Sequence, residues 1–327
     1  MKKEYIYESC LKEEIESFLE LRASQGHVGC KEDYILYTLD QYLTKIDHSG
    51  KDLSEKEIYG WLETFSAEMS VNTRIVYISH YRQFATYLFS LGHSAFIPER
   101  PMADKGYVPR IYTPEELVAL IHAADNIAAS IRLYARRSAV CFAVIIRILI
   151  GCGLRHGEVL KLKTADVNLK DGVIMVRQAK GDKDRIIPIH ESLSKVLTVY
   201  LKCGIPQENG WLFPSKTGGS FGMNTSLYYF NRCLTTVGIE KNNDGRYKRT
   251  VCIHCLRHTF AINAFRKLQN EGKDMYDEAP VLSTYMGHDS IYGTEKYLHM
   301  AAENSSDILE LMNEFNASQG LFPEVDE

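Results

Sequence analysis

Residues 140–190, VCFAVIIRILIGCGLRHGEVLKLKTADVNLKDGVIMVRQAKGDKDRIIPIH, decide how this chain folds. The run VCFAVIIRILI (140–150) falls short of the roughly 18 apolar residues of a membrane span and carries an arginine, so it reads as a buried core helix. That helix stops at Gly151-Cys152-Gly153, and a short helix follows. In DVNLKDGVIMVRQ (166–178) and RIIPIH (185–190), the turn pair Asp171-Gly172 and its β-branched flanks predict small antiparallel strands. The rest of the region returns to helix, so the class is mainly α with a small antiparallel β-sheet.

Toward the N-terminus, apolar residues recur at three- and four-residue spacing in CLKEEIESFLEL (10–21), DYILYTLDQYL (33–43), SEKEIYGWLETF (54–65) and NTRIVYISHYRQFATYLF (72–89). This predicts a helical domain over residues 1–97. Ser54 and Asn72 stand where N-caps belong, and Gly50 and Gly92 where helices stop. A stretch rich in Pro and Gly then breaks the periodicity, and residues 98–112 read as a linker. Thr113-Pro114-Glu115-Glu116 has the form of a capping box and opens a second domain over 113–302. Residues 303–327 form a separate acidic tail.

At 327 residues, 45% apolar and 24% charged, the chain has the composition of an ordinary globular protein with room for two cores. No stretch has the apolar run of a membrane span or a signal peptide, so the expected location is cytoplasmic. In such a compartment thiols stay reduced, and the scattered cysteines predict no disulfides. Cys252 and Cys255 form a C-x-x-C with no second pair at zinc-finger spacing, so they read as helix-packing thiols and no metal site is expected. A net charge of −4 argues at first against nucleic acid. Its distribution points the other way: Lys+Arg against Asp+Glu is 12 to 17 in residues 1–105, 26 to 18 in 106–302, and none to 7 in 303–327.

Within the basic middle lie GLRHGE (153–158), AKGDKDR (179–185), HCLRH (254–258), MGHDS (286–290) and EKYLHM (295–300). Each string alone is unspecific. Together, in this order, they resemble the tyrosine recombinase, or phage integrase, family over about residues 10–300. The GLR-x-x-E, hairpin lysine, H-x-x-R, GH dipeptide and tyrosine nine residues later fall on Arg155 with Glu158, Lys180, His254 with Arg257, His288, and Tyr297. The resemblance implies a two-domain DNA clamp, in which a helical core-binding domain and a catalytic domain enclose double-stranded DNA. The implied activity is site-specific cleavage and rejoining through a 3′-phosphotyrosine.

These residue types suit that chemistry. Phosphoryl transfer builds charge on equatorial oxygens, and a guanidinium offers a permanently charged fork that matches two of them. Arg155 and Arg257 would clamp the scissile phosphate in place of a metal ion, so no cofactor, Mg²⁺ or ATP is expected. A free phenol has a pKa near 10, so the nucleophile Tyr297 needs a base or a cationic pocket, which the arginines and His288 would supply. Tyr285 and Tyr292 are its local competitors. By resemblance Lys180 is the general acid for the leaving 5′ oxygen, with Lys183 its rival in the same turn. His254 fits a base that reverses to acid in rejoining, and Glu158 a supporting carboxylate.

Candidate DNA contacts are Arg132, Arg136, Arg137, Lys161, Lys163, Arg246, Lys248 and Arg249, with Arg74, Arg82, Lys51 and Lys56 in the acidic N-terminal domain. In SSDILELMNEF (305–315) apolar residues share one helical face, which predicts a tail helix that packs on its own domain or docks on a neighbouring protomer. The resemblance implies a monomer without DNA and a homotetramer on two DNA sites, and it allows accessory DNA-bending or directionality factors. Two departures from the family pattern stand out: Met286 where Leu is commoner, and a long segment, KLQNEGKDMYDEAPVLSTY, before His288. The long segment predicts an altered connecting loop and points to the integrases of mobile elements. Rival readings are a type IB topoisomerase, which relaxes DNA without exchanging partners, and a non-catalytic architectural DNA-binding protein.

Overall fold

The computed structural model describes residues 5–26, 30–65, 69–102, 108–177, 184–206, 208–242, 245, 247, 250–287 and 297. The chain divides into two compact units, Met1–Tyr107 and Val108–Glu327. The described part of the first unit is built on α1 (Lys12–Ser24), α2 (Cys30–Lys45), α3 (Glu55–Glu63) and α4 (Val71–Ser90). Their apolar faces close over Ile15, Phe18, Leu36, Leu39, Trp61, Tyr81, Phe84 and Leu88. Trp61 is fully buried and its indole N–H donates to Thr38 Oγ1 at 3.3 Å, which meets the one polar requirement of that ring. Asp40 is also buried, and its carboxylate accepts from the backbone N–H groups of Glu8 and Ser9 just ahead of α1.

Ser54 caps α3 in a capping box with Glu57, as its sequence position predicts. The cap of α4 is Ser70 rather than Asn72: the Ser70 hydroxyl accepts from Thr73 N at 3.2 Å, and the helix is already under way when Asn72 is reached.

In the second unit, the end of the stretch read as linker is tied down. Arg110 N donates to Thr250 O, and Tyr112 N to the buried Thr259 hydroxyl, each at 3.0 Å. Thr113 and Glu116 form the capping box of α5 (Pro114–Ser130). The apolar run lies in α6 (Leu133–Cys152), whose Phe142, Ile145, Ile146 and Leu149 sit at the centre of the core. Gly153 ends α6 in the left-handed conformation, with φ of 61°, and leads into α7 (His156–Leu160).

Strands β1 (Val167–Asn168), β2 (Val173–Val176) and β3 (Arg185–Pro188) pair antiparallel in the order β1-β2-β3, with Ile174 opposite Ile187. There follow α8 (Glu191–Lys202), α9 (Met223–Val237), α10 (Cys255–Asn270) and α11 (Met275–Met286). The long interval before His288 is absorbed as helix, not as an altered loop. α10 runs on to Asn270, and Asp274 caps α11 by accepting from Tyr276 N at 2.7 Å.

Two tests follow from this packing. A Cβ at Gly153 would lie 2.3 Å from the Phe260 ring, at a φ that β-carbon residues reach only with strain. Gly153→Ala therefore costs on the order of 1–3 kcal/mol from backbone strain alone, read as a lowered urea midpoint. His156 Nε2 lies 2.8 Å from the buried Ser226 hydroxyl, joining α7 to α9, and burial pushes its pKa down to about 4. Unfolded chains protonate histidine near pH 6.5, so stability present above that pH is lost progressively as pH falls toward 4, by about 3 kcal/mol at most. His156→Asn should show a weaker loss of urea resistance over that window than the wild type.

Candidate active site

Three arginines from three elements converge on the C-terminal end of α11. Arg185 Nε donates to Tyr285 O at 3.0 Å, Arg257 Nη2 to Met286 O at 2.6 Å, and Arg155 Nη2 to Gly287 O. The last carbonyls of a helix have no partner within it and carry partial negative charge, so cationic donors suit them. Gly287 turns the chain out of the helix at φ of 66°, and a Cβ there would lie 2.9 Å from the Arg185 guanidinium.

Glu158 sits between two of these arginines. Its carboxylate accepts from Arg155 N at 2.8 Å and Arg155 Nη1 at 2.9 Å, and from Arg185 Nη2 and Nη1 at 2.7 and 3.1 Å. Burial pushes the Glu158 pKa up, but Arg185 and Arg155 together outweigh it and hold the group below the usual carboxylate range. Arg257 is 2% exposed and also donates from Nη1 to Gly153 O at 2.8 Å. Burial, reinforced by the neighbouring Arg155, lowers its pKa to about 10, which still leaves it charged at neutral pH.

Tyr297 lies within the small core formed by α10 and α11, with Ile262, Phe265, Leu282 and Met286. It is 1% exposed, and its hydroxyl is 2.8 Å from Nδ1 of His258, itself 3% exposed. The Arg257 side chain hydrogen-bonds the same phenol. The cationic pocket expected from sequence is therefore present in part: Arg257 and Arg155 both lower the Tyr297 pKa, yet burial outweighs them and the net shift is upward. His254 stands at the N-cap position of α10 without a side-chain cap bond, its ring edge-on to that of His258 at 4.8 Å. Tyr285, one rival nucleophile, is a packing residue whose ring stacks on Phe260 and whose hydroxyl donates to Cys152 O at 3.2 Å.

Of the predicted site residues, Arg155, Glu158, Arg257 and Tyr297 are brought together, and His254 adjoins them through His258. Lys180 and its rival Lys183, His288, Tyr292, Arg246, Lys248, Arg249 and the tail 303–327 lie outside the described residues. Arg82, Arg132, Arg136, Arg137, Lys161 and Lys163 are exposed, and Arg74 is partly so. Arg137 donates to Ile205 O at 2.9 Å, and the Lys163 ammonium stands 5.9 Å over the Trp211 ring. Lys51 is committed to Glu14 at 2.6 Å. Cys252 and Cys255 hold their sulfurs 3.6 Å apart, and among the described residues no cluster of three or more His, Cys, Asp or Glu is arranged to hold a metal.

Sequence reading passed over Arg185 and His258. Both leave a signal in the pattern. Alternation along β3 puts Arg185 on the same face as the buried Ile187, an inward place for a cation. His258 follows His254 by four residues, one helical turn.

Residues 110–304 match the Phage integrase family. The chain is 28% identical over 305 residues to a Sinorhizobium fredii protein bearing the name integrase/recombinase y4rE, covering 88% of this chain and 91% of that one. It is 24% identical to the tyrosine recombinase XerD of Staphylococcus aureus, over 86% of this chain and 87% of that one. Among solved structures, XerH site-specific recombinase bound to difH substrate in a pre-cleavage complex has a similar fold. The TM-score is 0.63 at 20% identity, over 87% of this chain and 81% of that one. The family match spans the arginine cluster and Tyr297 alike, and the chain belongs to the phage integrase family of tyrosine recombinases.

Proposed function

We propose that this chain is a site-specific DNA recombinase in which Tyr297 attacks a scissile phosphate held by Arg155 and Arg257. The observation that carries the reading is the convergence of a buried tyrosine and two arginines on one site. Each guanidinium has five N–H donors and spends some on carbonyls or on Glu158, which fixes its plane while leaving donors for phosphate oxygens. Arginines fixed before substrate arrives stabilise the charge of the transition state without reorganising. Attack by Tyr297 leaves a 3′-phosphotyrosine and a free 5′ hydroxyl, with Lys180 as general acid, a histidine as the base that reverses to acid in rejoining, for which the motif offers His254, and His288 adding to the cationic field of the arginines. The bond to Tyr297 conserves the energy of the broken phosphodiester, so a 5′ hydroxyl from a second duplex can rejoin the strand without ATP or a cofactor.

The same reading makes double-stranded DNA the partner, with the helical unit and the catalytic unit each contributing contacts. Arg74, Arg82, Arg136, Arg137, Lys161, Lys163, Arg246, Lys248 and Arg249 supply phosphate contacts that fix register rather than sequence. The protein works in the cytoplasm, as a monomer until four copies assemble on two sites, with the tail 303–327 docking on a neighbour. Integration or excision of a mobile element is the role that fits the name of the Sinorhizobium relative, with accessory bending or directionality factors as further partners.

In chelator and without ATP, a suicide DNA carrying the correct site should yield a denaturation-resistant adduct that Tyr297→Phe abolishes. Recombination should require paired sites; relaxation of unrelated supercoils would favour a topoisomerase, and binding with no adduct an architectural protein. Arg185→Ala frees one side of Glu158 and the Tyr285 carbonyl. It should slow single-turnover cleavage at least tenfold, or about 1.4 kcal/mol, while affinity in a gel shift stays nearly constant. Arg185→Lys should not restore the rate, because all three guanidinium nitrogens are engaged. Equal losses in affinity and rate would place Arg185 in DNA binding instead.

A further inference from the structure

We infer that His258 takes the proton from Tyr297 as the tyrosine attacks, and returns it when the strand is rejoined; the inference rests on the recombinase reading above. His258 Nδ1 and Tyr297 Oη are 2.8 Å apart, within the reach required of a nucleophile and its base. Both side chains are almost wholly buried, so bulk water does not compete as the acceptor. Arg257 also bonds the phenol, and a guanidinium can only donate. In the tautomer protonated at Nε2, His258 Nδ1 is placed to accept the phenol's own hydrogen.

A proton acceptor is needed because burial keeps Tyr297 above the usual phenol range despite Arg257 and Arg155. At neutral pH the hydroxyl is intact and must lose its proton during attack. Among the described residues, the charged and titratable groups around the pair include Arg257, Arg155 and Cys255, which act on Tyr297, and His254, whose ring meets that of His258 at 4.8 Å. From α11 the shared core receives Met275, Ala279, Leu282 and Met286, which do not titrate, and the partly buried Tyr285, whose pKa burial pushes up.

The step balances. The Oη–P bond forms as the P–O5′ bond breaks, the phenolic proton passes to His258 Nδ1, and the electron pair of the broken bond leaves on O5′, which takes a proton from the general acid. The phosphate keeps its single negative charge as one diester is exchanged for the other, and the imidazolium so formed faces it. In rejoining, the 5′ oxygen attacks phosphorus, the P–Oη bond breaks, and Oη recovers its proton from His258.

His258→Asn separates proton transfer from positioning, because the asparagine amide oxygen takes the place of Nδ1 as an acceptor yet cannot be protonated. Single-turnover cleavage would be followed from about pH 5 to 10 for wild type, His258→Asn and His258→Ala, with folding checked by DNA affinity. The wild-type rate should rise through the histidine range and level off. Both variants should be slower by about a hundredfold or more at neutral pH, with rates still climbing in alkali, and added imidazole should restore part of the His258→Ala rate. A His258→Asn rate within about threefold of wild type at every pH makes His258 a positioning residue and overturns the inference, as does a faster His258→Ala, which would make it a latch. Failure of the wild type to form any adduct removes the recombinase reading and this inference together. A normal wild-type adduct with unaffected variants removes this inference alone.

Discussion

The carbonyl oxygens of Tyr285, Met286 and Gly287 are what the catalytic unit is organised around. Each accepts from a different arginine, brought by β3, α10 and the start of α7. Neither side of this arrangement is stable without the other. Buried carbonyls at a helix end need donors, and a cation as buried as Arg257 needs acceptors to offset the loss of water. Because Arg257 also reaches back to Gly153 O, the end of α6, the start of α10 and the end of α11 meet at one guanidinium. The sheet joins through Arg185 and Glu158, so β3 is anchored to the same cluster.

This arrangement explains how far the sequence could be read. The core helix α6, the capping boxes at Ser54 and Thr113, and the hairpin at Asp171-Gly172 are local features, written in periodicity and turn chemistry, and they were legible. The motif strings also named Arg155, Glu158, Arg257 and Tyr297, which the fold brings together. Arg185 and His258 were not legible. Their importance comes from partners distant in sequence, Tyr285 for one and Tyr297 for the other, and no local pattern announces a partner. The interval before His288 misled for a related reason: extra residues between motifs look like loop until α10 and α11 are seen to take them up as helix.

The state of Tyr297 sets a second constraint. Two arginines favour its anion, yet the apolar packing of Phe265, Leu282 and Met286 around it wins, and the phenol stays protonated. As the proposed nucleophile, a tyrosine held neutral and out of solvent would need its activation coupled to the approach of a phosphate and to a nearby proton acceptor. On the proposed mechanism the arginines act mainly on the phosphate, and the tyrosine depends on the imidazole beside it.

The central claim is that Tyr297 becomes the covalent link to DNA, and peptide mapping of a trapped complex tests it most directly. Lys296 precedes Tyr297 and residues 297–327 contain no lysine or arginine, so after nuclease digestion trypsin separates Tyr297 from Tyr285 and Tyr292. The account predicts residual nucleotide on the peptide that carries Tyr297, localised to that residue and joined through a 3′ phosphate. Nucleotide on Tyr285 or Tyr292, or cut strands with no modified peptide, would contradict it.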